Sequence, residues 1–160
     1  MNTSQQLVVN KLPTRTWNHL NVNEASIPWN AAETADLGTD TYQITAENRT
    51  QPLHIDLTGA EGYSRRRIAV DVAAGVKATV YMVFDTQGSF AVETAFKLRD
   101  AASLRLVQVL GARSGALLYA KMDADCAPGA GVDMTQILMG QGDLYSDNGT
   151  ELVGDGSRYS

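Results

Sequence analysis

The stretch GVKATVYMVFDTQGSFAVETAFKLRDAASLRLVQVLGARS, residues 75–114, decides how this chain folds. Val76, Ala78, Val80 and Met82 recur at every second position; Phe90, Val92 and Phe96 do the same, with Glu93 and Lys97 on the opposite face. Apolar residues at period two mark strands with one buried side. The scheme extends in both directions. Upstream, Leu53, Ile55 and Leu57 alternate with His54 and Asp56, and Ile68, Val70 and Val72 alternate with Ala69 and Asp71. Downstream it continues through Leu118, Ala120 and Met122, then Val132, Met134 and Leu138.

The punctuation is more telling than the strands. Small residues stand at Gly62, Gly75, Gly88, Ala101, Gly115, Gly129, Gly142 and Gly156, at spacings of 13 or 14 residues. Every second one gives a repeat near 27, and Gly88, Gly115 and Gly142 are each 27 apart. A fixed period of this length is the signature of a repeat architecture. Two strands per repeat predict a coil flattened into two facing parallel sheets, with glycines at bends where positive φ or close backbone approach is needed. Residue n is then expected to stack near n+27, with Gly88, Gly115 and Gly142 in one column. An antiparallel β-sandwich is the alternative, because alternation alone does not separate parallel from antiparallel pairing. The scarcity of two-residue hairpin signals favours the solenoid, Asn148-Gly149 being the one clear hairpin-like dipeptide.

The first fifty residues read differently. Ser4–Lys11 predicts a short helix ending before Leu12-Pro13, since the residue before a proline is driven from the helical region. Trp17, Leu20, Val22, Ile27 and Trp29 follow irregularly, and residues 30–41 are polar without a period. Residues 1–50 are therefore expected to form an N-terminal arm that is not an independent domain, its tryptophans packed on a β-helix spanning 51–160.

The 160 residues suit one domain, and 44% hydrophobic content supports a packed core. With 18 acids against 13 bases, the net charge of −5 lacks the cationic field that nucleic-acid binding requires. One cysteine, Cys126, forms no internal disulfide and supplies too few thiolates for a structural zinc or iron–sulfur site. No signal-peptide pattern opens the chain and no 18-residue apolar run interrupts it, so a cytoplasmic protein without membrane contact is expected. The sequons at Asn2, Asn48 and Asn148 then carry no glycosylation meaning.

LPTRTWNHLNVNEASI (12–27), followed by GVKATVYMVFD, FKLRDAASLRLVQVL and LMGQGDLYSDNGTELVGDGSRYS, resembles the N-terminal portion of the SufB/SufD family of iron–sulfur cluster assembly proteins, and its SufD-like members most. The resemblance spans most of the chain and implies a right-handed parallel β-helix. It further implies a scaffold in a cytosolic complex with a SufB/SufD-type partner and a SufC-type ATPase, the full complex handling an iron–sulfur cluster transiently. The family's cluster-associated cysteine and histidine positions, and its ATPase-docking helices, belong to the C-terminal part. No catalytic, cofactor-binding or metal-binding residue is therefore carried onto this chain, which is expected to be no enzyme and to hold no cofactor of its own.

The residues themselves agree with that negative reading. Cys126 in DADCAPGAG reads as a small residue at a bend, and His19 and His54 are 35 residues apart with no His-x-His pair. Nucleophile-elbow, P-loop and H-E-x-x-H patterns do not occur. Asp123, Asp125, Asp143, Asp147 and Asp155 read as solvated turn acids, because their spacing fits neither an EF-hand nor a nine-residue calcium roll. Arg65-Arg66-Arg67 reads as an exposed strand start whose side chains alternate between faces, so it makes no phosphate-reading patch.

A carbohydrate- or polymer-binding β-helix is the competing class, with Tyr63, Tyr81 and Tyr119 lining a groove; a polysaccharide-lyase type of enzyme is a third. Gly156 falls where a new strand should begin, yet only Ser157–Ser160 follow. The coil is accordingly expected to be truncated there, to expose apolar core around 132–153, and to self-associate through that end as a two-fold dimer.

Overall fold

The computed structural model describes residues 5–9, 25–48 and 50–160. It is mainly β, a solenoid of about five turns with about 27 residues per turn. The elements are β1 (Gln5–Val9), β2 (Ala25–Trp29), a 3-10 turn (Ala31–Glu33), β3 (Ala35–Ile44), β4 (Leu53–Gly59), β5 (Tyr63–Val72), β6 (Lys77–Thr86), β7 (Ser89–Leu98), β8 (Ser103–Ala112), β9 (Leu117–Cys126), β10 (Gly131–Gly140), β11 (Asp143–Leu152) and β12 (Arg158–Tyr159). Successive strands alternate between two five-stranded sheets, ordered β3-β5-β7-β9-β11 and β4-β6-β8-β10-β12, and every pairing within them is parallel. The antiparallel sandwich is thus not the arrangement these strands adopt.

Between the sheets lies a continuous core. Phe84, Phe90, Phe96, Ile68, Met82, Leu98, Leu104, Leu106, Leu110, Leu118 and Met122 are fully buried in it. The period-two pattern forces this result, because a strand slipped by one residue would turn its whole apolar set to solvent.

The stacking departs from a uniform n+27 rule. Tyr63 pairs with Ser89, Ser89 with Leu117, and Leu117 with Asp143, offsets of 26, 28 and 26. All these strands have ten residues, so the turns set the difference. Residues 73–76, 99–102 and 127–130 make four-residue turns along one edge. Along the other, the connections at 87–88 and 141–142 have two residues while 113–116 has four.

The expected glycine column is corrected accordingly. Ser89 donates its N–H to Gly62 O, Leu117 to Gly88 O and Asp143 to Ala116 O, so Gly62, Gly88, Ala116 and Gly142 align, and Gly115 does not. Close approach explains two of these: a Cβ on Gly88 would lie 2.4 Å from Ala60 O, and one on Gly142 2.3 Å from Arg113 O. The opposite edge aligns Gly75, Ala101, Gly129 and Gly156, all with positive φ, Ala101 at 56° included.

Three further expectations change. Gln5–Val9 is a strand, antiparallel to Ala25–Trp29, where a helix over Ser4–Lys11 was predicted. Eight residues are too few to hold a helix without tertiary help, and the β-branched Val8 and Val9 suit a pleated surface better. The solenoid begins at β3 rather than at residue 51, since Tyr42 and Ile44 register with Val70 and Val72. Asn148-Gly149 lies inside β11, paired with Met122 and Asp123, and turns no hairpin.

The β1/β2 hairpin covers the outer surface of the β3–β11 sheet. Val9, Ile27 and Trp29 form a second apolar cluster with Ala91, Leu117 and Tyr119, and Trp29 meets Tyr63 edge-on at 5.4 Å between ring centres. Trp29 therefore packs on the body as expected; Trp17 lies outside the described residues. No helix among the described residues is long and apolar enough to cross a membrane.

Candidate interaction surfaces

Parallel stacking turns each outward position into a row running from coil to coil. On the β3–β11 sheet, one row is Arg67, Glu93, Lys121, Asp147 and another is Asp71, Lys97, Asp125, Glu151. Opposite charges side by side on one sheet face stabilise it modestly, and like charges do the reverse. Arg67 lies 3.8 Å from Glu93, and Arg65 lies 3.5 Å from it. Lys121 reaches Asp123 at 2.8 Å, and that hydrogen bond raises the ammonium pKa. The Tyr119 hydroxyl donates to Asp147 Oδ2 at 3.3 Å, and its ionisation is pushed upward by burial first and by Asp147 second. Arg99 holds Asp71 through two bonds of 3.0 and 2.6 Å, which lower the Asp71 pKa.

The arginine run divides between faces as predicted, but it is not simply an exposed strand start. Arg65 and Arg67 point outward, Arg67 reaching Asp36 at 2.9 Å. Arg66 points between the sheets at the N-terminal end, where Nε donates to Asp40 Oδ2 at 2.7 Å, a second bond ties it to Asp40 Oδ1, and Nη1 donates to Leu37 O. This ion pair lies over the apolar core at its first coil. The alternation was legible in the sequence, but not that the inward member, Arg66, requires an acid beside it, which Asp40 supplies from the neighbouring strand.

The opposite end is built otherwise. The inward residues of β11 are Leu144, Ser146, Asn148, Thr150 and Leu152, and beside them on β10 Gln136 donates through Nε2 to Oε1 of the buried Gln108 at 3.0 Å. Leu138, Leu152 and Val153 are 56%, 49% and 64% exposed, as the sequence predicts for the last coil. The centre of this end is polar, however, so an uncapped apolar core describes only its rim.

On the outer face of the other sheet, Val83, Val109 and Ile137 form a row beside Asp85, Gly111 and Met139. The absent side chain at Gly111 opens a groove of about 590 Å³ between Val83, Val109 and Met139, with the Asp85 and Arg113 charges 3.8 Å apart at its rim.

The remaining sequence candidates are dispersed. Cys126 ends β9 and points into the core with no exposed surface, not into a bend, and burial followed by Asp125 pushes its thiol pKa up. His54 is exposed and stacks on Tyr81 of the next coil, 5.0 Å between ring centres. His19 lies outside the described residues. Asp123, Asp125, Asp143 and Asp147 sit on strands rather than turns, Asp155 alone lying in a turn. Among the described residues no three acidic, histidine or cysteine side chains are grouped to hold a metal ion. Tyr63 and Tyr119 lie under the hairpin on one sheet and Tyr81 stands on the other, so the three do not line one groove. No family model matches the chain, and no curated protein or solved structure matches it either.

Proposed function

We propose that this chain is the N-terminal part of a SufB/SufD-type scaffold for iron–sulfur cluster assembly, acting through protein contacts beside a SufB/SufD-type partner and a SufC-type ATPase in the cytoplasm. The observation that carries this reading is the two-sheet parallel solenoid of about 27 residues per turn, the architecture that the resemblance of residues 12–27 and the following strands implies. The chain works by offering surfaces. Its charged rows and its apolar groove are features of a contact platform, and its one thiol is committed to packing.

Affinity capture of the tagged protein from its own cells tests the proposal. A SufC-type ATPase and a SufB/SufD-type partner are expected in the eluate; their absence, together with retention on a glycan array, would replace the scaffold by a polymer-binding module. The isolated chain is expected to hold no stable iron–sulfur cluster after anaerobic reconstitution and to hydrolyse no ATP. One cluster per monomer, lost in Cys126→Ser, would overturn the packing role of that thiol.

A further inference from the structure

We infer that the amide pair Gln108–Gln136 selects the register in which β10 stacks on β8, a choice that the apolar pattern leaves open. Gln108 lies in the core at 1% exposure, and Met82, Gln108 and Gln136 form one inward row across β6, β8 and β10. Gln108 Nε2 donates to Met82 Sδ at 3.5 Å, and Gln108 Oε1 accepts from Gln136 Nε2 at 3.0 Å. A one-residue slip of β10 is forbidden outright, since it would turn the inward set of that strand to solvent. A two-residue slip is not, because every side chain keeps its face.

The turns leave room for that slip. If β10 moved so that Met134 stood beside Gln108, the turn 127–130 would shorten from four residues to two, and the connection 141–142 would lengthen from two to four. Both lengths already occur in this solenoid, at 87–88 and 113–116. Val132 would then lie beside Leu106 and Leu138 beside Ala112, so the core would stay filled. What is lost is the amide pair. Gln136 would lie beside Leu110, and Gln108 Oε1 would meet the Met134 thioether, which donates no hydrogen bond. A buried acceptor without a donor bears its full desolvation cost, and a buried polar residue sets register in this way in coiled coils. The bond from Ala101 N–H to Pro128 O, between stacked turns, also opposes the slip, and mutation separates the two contributions.

Three variants of the full chain test the assignment. Gln136→Leu leaves the buried Gln108 acceptor without its donor and is expected to raise the unfolding equilibrium constant at least about tenfold in urea titration. Gln108→Leu with Gln136→Leu removes both partners and should lie no more than about threefold above the parent. Register is read by NMR from side-chain methyl contacts: Val109 stands beside Ile137 in the present pairing and would stand beside Thr135 after the slip. The parent is expected to give one set of β10 signals. The double-leucine variant should give a second set, carrying the Val109–Thr135 contact. The exchange Met134→Gln with Gln136→Met returns an amide beside Gln108 only in the slipped register, so the slipped set should become the major one; if that variant does not fold, the double-leucine variant decides by itself. A double-leucine variant with the Val109–Ile137 contact alone would leave register to the turns and overturn the inference. So would a folded exchange variant that keeps this contact alone, or a double-leucine variant as unstable as Gln136→Leu.

Discussion

The two ends of the solenoid solve the same problem with different chemistry. At the first coil, Arg66 and Asp40 turn inward and close the space between the sheets with a bidentate ion pair, while a bulge blunts the edge of β3. At the last coil, Ser146, Asn148 and Thr150 occupy the equivalent inward positions, a rim of Leu138, Leu152 and Val153 stands in solvent, and β11 pairs with β9 without a register shift. An inward-pointing charge and a bulge are devices that prevent further strand addition. Neutral amides and hydroxyls beside an unbroken edge do not prevent it. The two ends thus differ in chemistry: an inward ion pair and a bulge at one, neutral inward side chains and an unbroken register at the other.

Truncations measure how much stability lies between those ends. Phe96→Ala, at the centre of the core, is expected to cost about 3–5 kcal/mol in urea unfolding, whereas Leu152→Ala in the half-exposed last coil should cost less than about 1 kcal/mol. Similar costs at the two sites would mean that the last coil is as tightly held as the middle, and would erase the contrast. Arg66→Ala should rank next, at about 1–3 kcal/mol, because it leaves the half-buried Asp40 carboxylate without its partner. The paired change Arg66→Leu with Asp40→Leu should recover most of that loss, yet it should raise light scattering, since the blocking charge has gone. A double variant that stays as monodisperse as the parent would show that the bulge alone protects the first coil.

Hydrogen exchange sharpens the same contrast without mutation. Amides of β7, bonded on both sides within the sheet, are expected to exchange orders of magnitude more slowly than those amides of β11 that have no strand partner among the described residues. The smallest effect concerns the charged rows that connect the ends. Asp71→Asn should cost under about 1 kcal/mol at neutral pH, because the Arg99 pair is partly exposed. The sign follows from Asp71 having a lower pKa folded than unfolded. Its contribution is complete above the ordinary carboxylate value and is lost as pH falls through the lowered one, so parent and variant should converge in acid. A difference that grew in acid would contradict the pairing.

The repeat was the legible part of this chain. Period-two alternation through residues 53–138 and bends every 13 or 14 residues specify the two facing sheets, because both signals are local. The stacking offsets were not legible, since a 27-residue mean hides alternating 26 and 28, and only the turn lengths reveal which bend residues share a column. The β1/β2 hairpin was missed for a related reason. Its two strands of five residues are separated by fifteen others, and neither shows a helical or strand period strong enough to stand without the surface it covers. The long-range pairs that decide the ends, Arg66 with Asp40 and Glu151 with Asp125, could not be found before register was known, because 26 residues separate each pair in the chain.

The turn lengths carry a consequence for how such a chain could grow or shrink. Every connection from β5 to β11 contains two or four residues, and the strands they join all have ten. As a result, each inward side chain from Ser64 to Leu152 has an even number. The chain keeps a parity. Duplication or loss of a 26- or 28-residue coil preserves it, and the copied block drops into place with its apolar face inside. Removal of the average unit of 27 would flip it, sending Phe96, Leu118 and Met122 to solvent and their charged neighbours into the core, unless the shift were absorbed within a bend. A coil can therefore be copied or lost whole only in even counts of residues, and an odd insertion can persist only where a turn takes up the extra residue.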